Sequence, residues 1–498
     1  MSASSSVAGS ARRGLLWLFG QSVVSRAVQA LSQIALAWLL LPADFGLIGL
    51  AQTVTAVVGG LFSLGFEDVL LQRHRGLRLW TGAVFWLSLA FGGLAGLALL
   101  AAAPIGAALY GQPSLAGLIA VAALAAPIGA LATVPNALLR AALDFRLLAL
   151  VALGEAVLAS AGAIALAAAG FGAYSFVLPA PFVALLRVLV LWRAARGLLP
   201  ADGRALRWPR RAGRALPLLP AASAALGTTL LTTLVAQGDY IVLGLTVSDA
   251  ATVGLYFFAF KLAVQPLRML AGSFSGVLFP TLVRYRNDPV RQRDAALQAS
   301  QMLSIVVMPL CFLQAALAAP LLEVFFAPRW AGAVPFIQLL SVGLAFDASS
   351  WAAGAFLHAR GEFKRGFIYS ALTAPVFFAL VTAGALLGQA HGVAAAVALF
   401  FIVIAPLYCY AVFGRVGGTG WREIALIYLG PALLGAASTI AAYAVAAAIW
   451  RQPLFLLAAT PALALALYVP LLRLACPEPY RRTRDQVLAL RGARPAAA

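Results

Sequence analysis

The chain has 498 residues, of which 63% are hydrophobic and 10% charged, against roughly 25% charged in an ordinary soluble protein. At a mean hydropathy of +0.95 the apolar residues exceed what one core can hold, which excludes a water-soluble fold. Continuous apolar runs of about 20 residues also exclude an outer-membrane barrel, whose strands alternate, so the expected class is an all-α polytopic membrane protein.

In chain order, helices are expected near residues 14–41, 46–66, 79–103, 114–139, 147–169 and 172–192. A second set follows at 215–246, 251–283, 298–319, 333–358, 366–387 and 391–413, and a final pair at 424–449 and 453–473. The apolar run after Arg12 and Arg13 is longer than a signal-peptide core and reads as a retained first helix. Fourteen spans make the number even, and the charges test it. Of 35 Lys and Arg, 29 fall on one side of this arrangement, from Arg12 and Arg13 through the loop Arg193–Arg214 to the tail Arg473–Arg494. Only Arg329 and Arg451 fall in loops on the other side. Basic residues accumulate on the cytoplasmic side, so both termini are expected there. The net charge of +19 then reflects topology and anionic headgroups rather than nucleic acid.

The expected organisation is an N-terminal six-helix lobe (1–192), a basic cytoplasmic linker (193–214), a C-terminal six-helix lobe (215–415), two additional helices (416–475) and a cytoplasmic tail (476–498). Gly46-Leu47 opens the second span and Gly254-Leu255 the eighth, each just after an acid, Asp44 or Asp249. Six spans per copy would give two lobes of the same orientation, with a substrate path between them.

Ionised side chains inside hydrocarbon cost at least about 2.5 kcal/mol, so each needs water, a partner or a function. In the first span Ser22, Arg26, Gln29 and Gln33 share one helical face. The eighth repeats the pattern with Lys261, Gln265 and Arg268; the seventh offers Thr229, Thr233, Gln237 and nearby Asp239; the tenth offers Asp347, Ser350 and His358. Glu155 and Arg187 read as partners. The other reading of the hydroxyl and amide groups is interhelical glue. Cations on a wet interior face suit an anionic substrate, since Arg grips phosphate bidentately and Lys acts as a point charge. Asp239, Asp347 and Glu155 are the candidates for ion coupling. Cys311, Cys409 and Cys476 have no metal or disulfide spacing, and the three His are scattered, so no metal and no cofactor are expected.

The stretch Leu39–Arg73, LLLPADFGLIGLAQTVTAVVGGLFSLGFEDVLLQR, resembles the start of the second helix in Wzx-type polysaccharide flippases, the polysaccharide transporter family of the multidrug/oligosaccharidyl-lipid/polysaccharide superfamily. Gly238–Leu270, Leu278–Arg291 and Phe325–Gly343 carry further similarity. The resemblance implies two six-helix bundles around a central cavity in the bacterial inner membrane. It also implies a substrate, undecaprenyl-diphosphate-linked oligosaccharide, moved to the periplasmic leaflet for O-antigen or exopolysaccharide, with polymerase and chain-length machinery as further partners. Arg26 and Arg268 look like the arginines that contact the diphosphate in similar flippases. Two alternatives remain at this point: a multidrug/cation antiporter of the same superfamily, and a membrane glycosyltransferase or polymerase acting on lipid-linked sugars. The first would want carboxylates rather than cations in its lumen. The second would want large outer loops, whereas the longest here carries only Glu323.

Overall fold

The structure is a computed structural model that describes residues 2–62, 66–67, 70, 77–198, 218–414, 418–475, 477 and 481. Among them there is no β-strand. The Arg-rich linker beyond residue 198, Arg415 and most of the expected tail lie outside the described residues. The chain divides into two compact units, Met1–Gly254 and Leu255–Ala498.

In the first unit α1 (Ser2–Leu39), α2 (Pro42–Leu61), α3 (Leu77–Leu109), α4 (Ser114–Ala130), α5 (Thr133–Ala141), α6 (Phe145–Ala168), α7 (Tyr174–Val177), α8 (Pro179–Ala195) and α9 (Leu218–Thr246) follow one another. α1 lies along α6, α3 along α4, and α9 along α2. Next come α10 (Ala250–Ala263), which ends in the second unit, and α11 (Gln265–Arg284), α12 (Pro289–Ala316), α13 (Ala318–Phe325), α14 (Val334–Ala359), α15 (Phe363–Phe413), α16 (Trp421–Ile449) and α17 (Pro453–Ala475). α14 sits between α12 and α15, and α16 pairs with α17 and α12. Eleven described helices are long and apolar enough to cross a bilayer, or twelve if the bent pair α4–α5 is one span. α15 has 51 residues, about 76 Å at 1.5 Å per residue, more than twice a hydrocarbon core. It is broken at Gly388 and Gln389, whose backbones are non-helical, between the two spans expected there.

The helices overrun or break the expected spans for physical reasons. α12 starts at Pro289 rather than near residue 298 because Asp288 caps it, its carboxylate accepting from Arg291 N at 3.0 Å. Hydropathy sees only the lipid-facing part of such a helix. The breaks at α4–α5 and α10–α11 follow proline. Proline has no N–H for the carbonyl four residues back, so that oxygen needs another donor. Pro135 orphans Leu131 O, which accepts from Trp192 Nε1 at 2.9 Å. Pro266 orphans Leu262 O, which accepts from Gln314 Nε2 at 2.8 Å. Within α12, Pro309 orphans Ile305 O, which accepts from the Tyr468 hydroxyl at 2.8 Å. In each case a side chain from another helix replaces the missing bond, which ties the bend to its packing partner.

The Gly-Leu pairs at the starts of α2 and α10 have a packing role. A Cβ on Gly46 would stand 2.0 Å from Ala250 O, and one on Gly254 would stand 1.7 Å from Pro42 O. Backbone meets backbone there, so only glycine fits. The two acids hold the adjoining helix starts. Asp249 accepts from Ala251 N, Thr252 N and the Thr252 hydroxyl at 3.1, 3.0 and 2.6 Å, and Leu41 N donates to Asp44 at 3.0 Å. The Thr252 hydroxyl is the main reason the Asp249 carboxyl is held below the usual carboxylate range.

Candidate functional site

In the first unit the polar face of α1 forms as its spacing predicts. Arg26 is half-buried and its Nε donates to Ser22 Oγ at 3.4 Å, while Gln21 Nε2 donates to the buried Ser25 at 2.9 Å. Gln29 is exposed, and Gln33 Nε2 is buried with no hydrogen-bond partner among the described residues. Gln237 on α9 faces α2: the Thr53 hydroxyl, which donates to Gly49 O at 2.8 Å, also lies 3.3 Å from Gln237 Oε1. Asp239 is 2% exposed, and its Oδ1 accepts from Tyr240 N at 3.0 Å. Glu155 on α6 and Arg187 on α8 pair at 3.2 Å. That ion pair occupies the carboxylate considered for ion coupling.

In the second unit Lys261 and Arg268 stand on either side of the Pro266 break, with Gln265 at the first position of α11. Lys261 is half-buried with Nζ 4.9 Å from the centre of the Phe257 ring, and Arg268 is exposed. The break does not scatter them, because Val264 N still donates to Phe260 O at 3.1 Å and Arg268 N to Val264 O at 3.0 Å. Asp347 lies on α14 and accepts from the Ser350 hydroxyl at 2.6 Å and Trp351 Nε1 at 3.3 Å. Among the described residues neither Arg26 nor Arg268 is in an ion pair, so both guanidinium groups keep donors for an anionic ligand.

Two features escape a reading of helical faces. Gln314 supports the backbone between the two cations of the second unit, and its Oε1 lies 3.4 Å from the Ser341 hydroxyl. Pro266 was the available signal, since it announces a carbonyl in need of a donor. Glu67, Asn136 and Arg140 form a second cluster in the first unit, with Asn136 Nδ2 donating to Glu67 Oε2 at 2.9 Å and Arg140 Nε 2.9 Å from Glu67 Oε1. Asn136 and Arg140 are four residues apart on α5, but the distance of Glu67 in sequence hides the cluster from any local pattern.

A family described as "Polysaccharide biosynthesis protein" matches residues 35–335, more than half of the chain. The chain belongs to this family. A curated relative, the succinoglycan biosynthesis transport protein ExoT of Rhizobium meliloti (strain 1021), is 29% identical over 310 residues. The match covers 62% of this chain and about 60% of the length of that relative. Among solved structures, the lipid II flippase MurJ in an inward closed conformation is similar with a TM-score of 0.72 at 14% identity, over 94% of this chain and 99% of that one. An inward-facing multidrug resistance MATE family transporter of the MOP superfamily gives 0.60 at 17% identity, over 81% and 95%. The polysaccharide biosynthesis protein described here is thus a multi-pass membrane protein with the fold of the MOP transporters, and the resemblance read from its sequence holds at the level of family and fold.

Proposed function

We propose that this protein is a flippase that carries undecaprenyl-diphosphate-linked oligosaccharide from the cytoplasmic to the periplasmic leaflet of the bacterial inner membrane, both termini being cytoplasmic. The observation that supports this reading most is the presence, in each unit, of an arginine on a helix of 20 residues or more and in no ion pair among the described residues: Arg26 in one, Arg268 in the other. Each such group can serve a phosphate, with the charge of Lys261 adding to that of Arg268 and with Gln29, Gln237 and Gln265 available to sugar hydroxyls. An unpaired hydroxyl in hydrocarbon costs about 4 to 8 kcal/mol, so a polar path through protein removes the main barrier while the lipid tail stays in the bilayer. Access alternates between the two sides. Moving negative charge out of a negative interior releases roughly 2.3 kcal/mol per charge per 100 mV, which suffices as a driving force. A cation antiporter would present the opposite sign of charge. The relative named for succinoglycan transport supports a surface polysaccharide as destination.

The test is the lipid that accumulates when the gene is deleted. A diphosphate-linked oligosaccharide should build up on the cytoplasmic side and clear on return of the wild-type gene, but not of Arg26→Ala or Arg268→Ala protein that still inserts. Unchanged lipid pools in the deletion would refute the proposal.

A further inference from the structure

The first unit contains a cavity of about 520 Å³ that none of the cationic faces uses. Its walls come from α2, α3, α4 and α5 and from residues between α2 and α3, and include Phe66, Phe91, Ser88, Thr133, Glu67 and Arg140. One of its polar atoms, the Ser88 hydroxyl oxygen, is unspent, and a second, Glu67 Oε1, is met only by an ion pair. Ser88 is 5% exposed, and its hydroxyl has no hydrogen-bond partner among the described residues. Glu67 Oε1 is likewise buried without one, since Arg140 Nε approaches it at 2.9 Å as an ion pair without hydrogen-bond alignment. Buried polar atoms left without partners are uncommon and call for a ligand or water. The glycines on the wall keep the space open. A Cβ on Gly59 or on Gly129 would meet nothing within 4 Å.

The chemistry of this lining selects among ligands. A bare metal ion is disfavoured because the Arg140 guanidinium already neutralises the carboxylate, and the cavity is far larger than an ion needs. An inorganic anion meets Glu67. A zwitterionic lipid headgroup would have to split the Glu67–Arg140 pair. A neutral polyol leaves the pair intact: its hydroxyls donate to Glu67 Oε1 and to Ser88, accept from Arg140, and rest their C–H faces on Phe66 and Phe91. These rings stand edge to face with centroids 5.6 Å apart. The volume falls within the roughly 300 to 1,000 Å³ of small-molecule sites.

We infer that this cavity is a carbohydrate subsite that holds one neutral sugar ring of the transported headgroup, and so contributes to which repeat unit the protein accepts. The inference rests on the flippase reading for its biological ligand but not for its test. Saturation-transfer NMR on the purified full-length protein in detergent, with free glucose, galactose and phosphoethanolamine as probes, reads binding alone. At least one sugar should give a signal with wild type that falls at least tenfold in Gly129→Leu, which fills the cavity. The signal should persist in Gly20→Leu, which fills a separate apolar groove beside Trp17 and Leu150. If Gly129→Leu does not fold, Ser88→Ala replaces it and should weaken binding severalfold. No sugar signal, an equal signal in the filled or Ser88→Ala variant, or a signal from phosphoethanolamine alone would overturn the inference. Sugar binding in a protein whose deletion leaves lipid-linked sugars unchanged would instead overturn the flippase reading.

Discussion

Replacing Gln314 by Met removes the donor that supports Leu262 O while keeping the volume and length of the side chain. The lost contact is a 2.8 Å hydrogen bond to a carbonyl that Pro266 has deprived of its helical partner. Leaving such a group unsatisfied costs about 1 to 3 kcal/mol, and interhelical hydrogen bonds measured within membranes average about 0.6 and reach about 1.7 kcal/mol. The expected loss for Gln314→Met is therefore about 1 to 2 kcal/mol. The cause is specific enough for a thermodynamic cycle. In a Pro266→Ala background the backbone N–H restored by the alanine reaches Leu262 O, so Gln314→Met should lose most of its effect, with a coupling of about 1 kcal/mol. Reversible unfolding of the four proteins in mixed micelles, titrated with a denaturing detergent, gives all four free energies. An equal cost of Gln314→Met in both backgrounds would refute the repair of a proline-orphaned carbonyl.

Gly254→Ala should destabilise the folded protein by about 1 to 3 kcal/mol, since its Cβ would sit 1.7 Å from Pro42 O; a melting temperature equal to wild type would contradict the close crossing. Neutralising Glu155 or Arg187 alone should lower stability, while exchanging the two charges should restore part of it if their 3.2 Å contact is the interaction that matters, as the same melting assay would show. At the start of α15, burial works to raise the Glu362 carboxyl, but hydrogen bonds from Arg360 and Arg365 at 2.7 and 2.5 Å outweigh it and hold it below its ordinary value. Its contribution to stability is then complete above the unfolded pKa of about 4.3 and is lost as pH falls through the lower folded value. Glu362→Gln should accordingly lose less stability than wild type between pH 6 and pH 3.

The sequence made the solvent of the protein, its helical class and the approximate helix positions legible, because hydrophobic runs and basic loops report directly on the bilayer. The face carrying Arg26 and Gln29 was legible for the same reason: a 3.6-residue period survives in any helix that forms. Helix ends were not, because Asp288 extends α12 into a polar segment where hydropathy is silent. The pairings that hold the bends were also hidden. Nothing local connects Tyr468 with Ile305 or Trp192 with Leu131; those contacts come from how helices pack, and proline marks only that some donor must exist. The Glu67–Asn136–Arg140 cluster is not legible because Glu67 lies 69 residues from Asn136 in sequence, and Glu67 reads in isolation as the polar end of a span.

The most direct measurement is translocation in proteoliposomes. Purified protein is reconstituted with an undecaprenyl-diphosphate oligosaccharide confined to one leaflet, and the arrival of sugar at the other leaflet is followed with a lectin or an impermeant oxidant. Wild-type vesicles should expose the sugar far faster than protein-free ones, with Arg26→Ala and Arg268→Ala each reducing the rate at least tenfold. A wild-type rate no faster than that of empty vesicles, or rates in both arginine variants equal to wild type, would contradict a cation-assisted flippase.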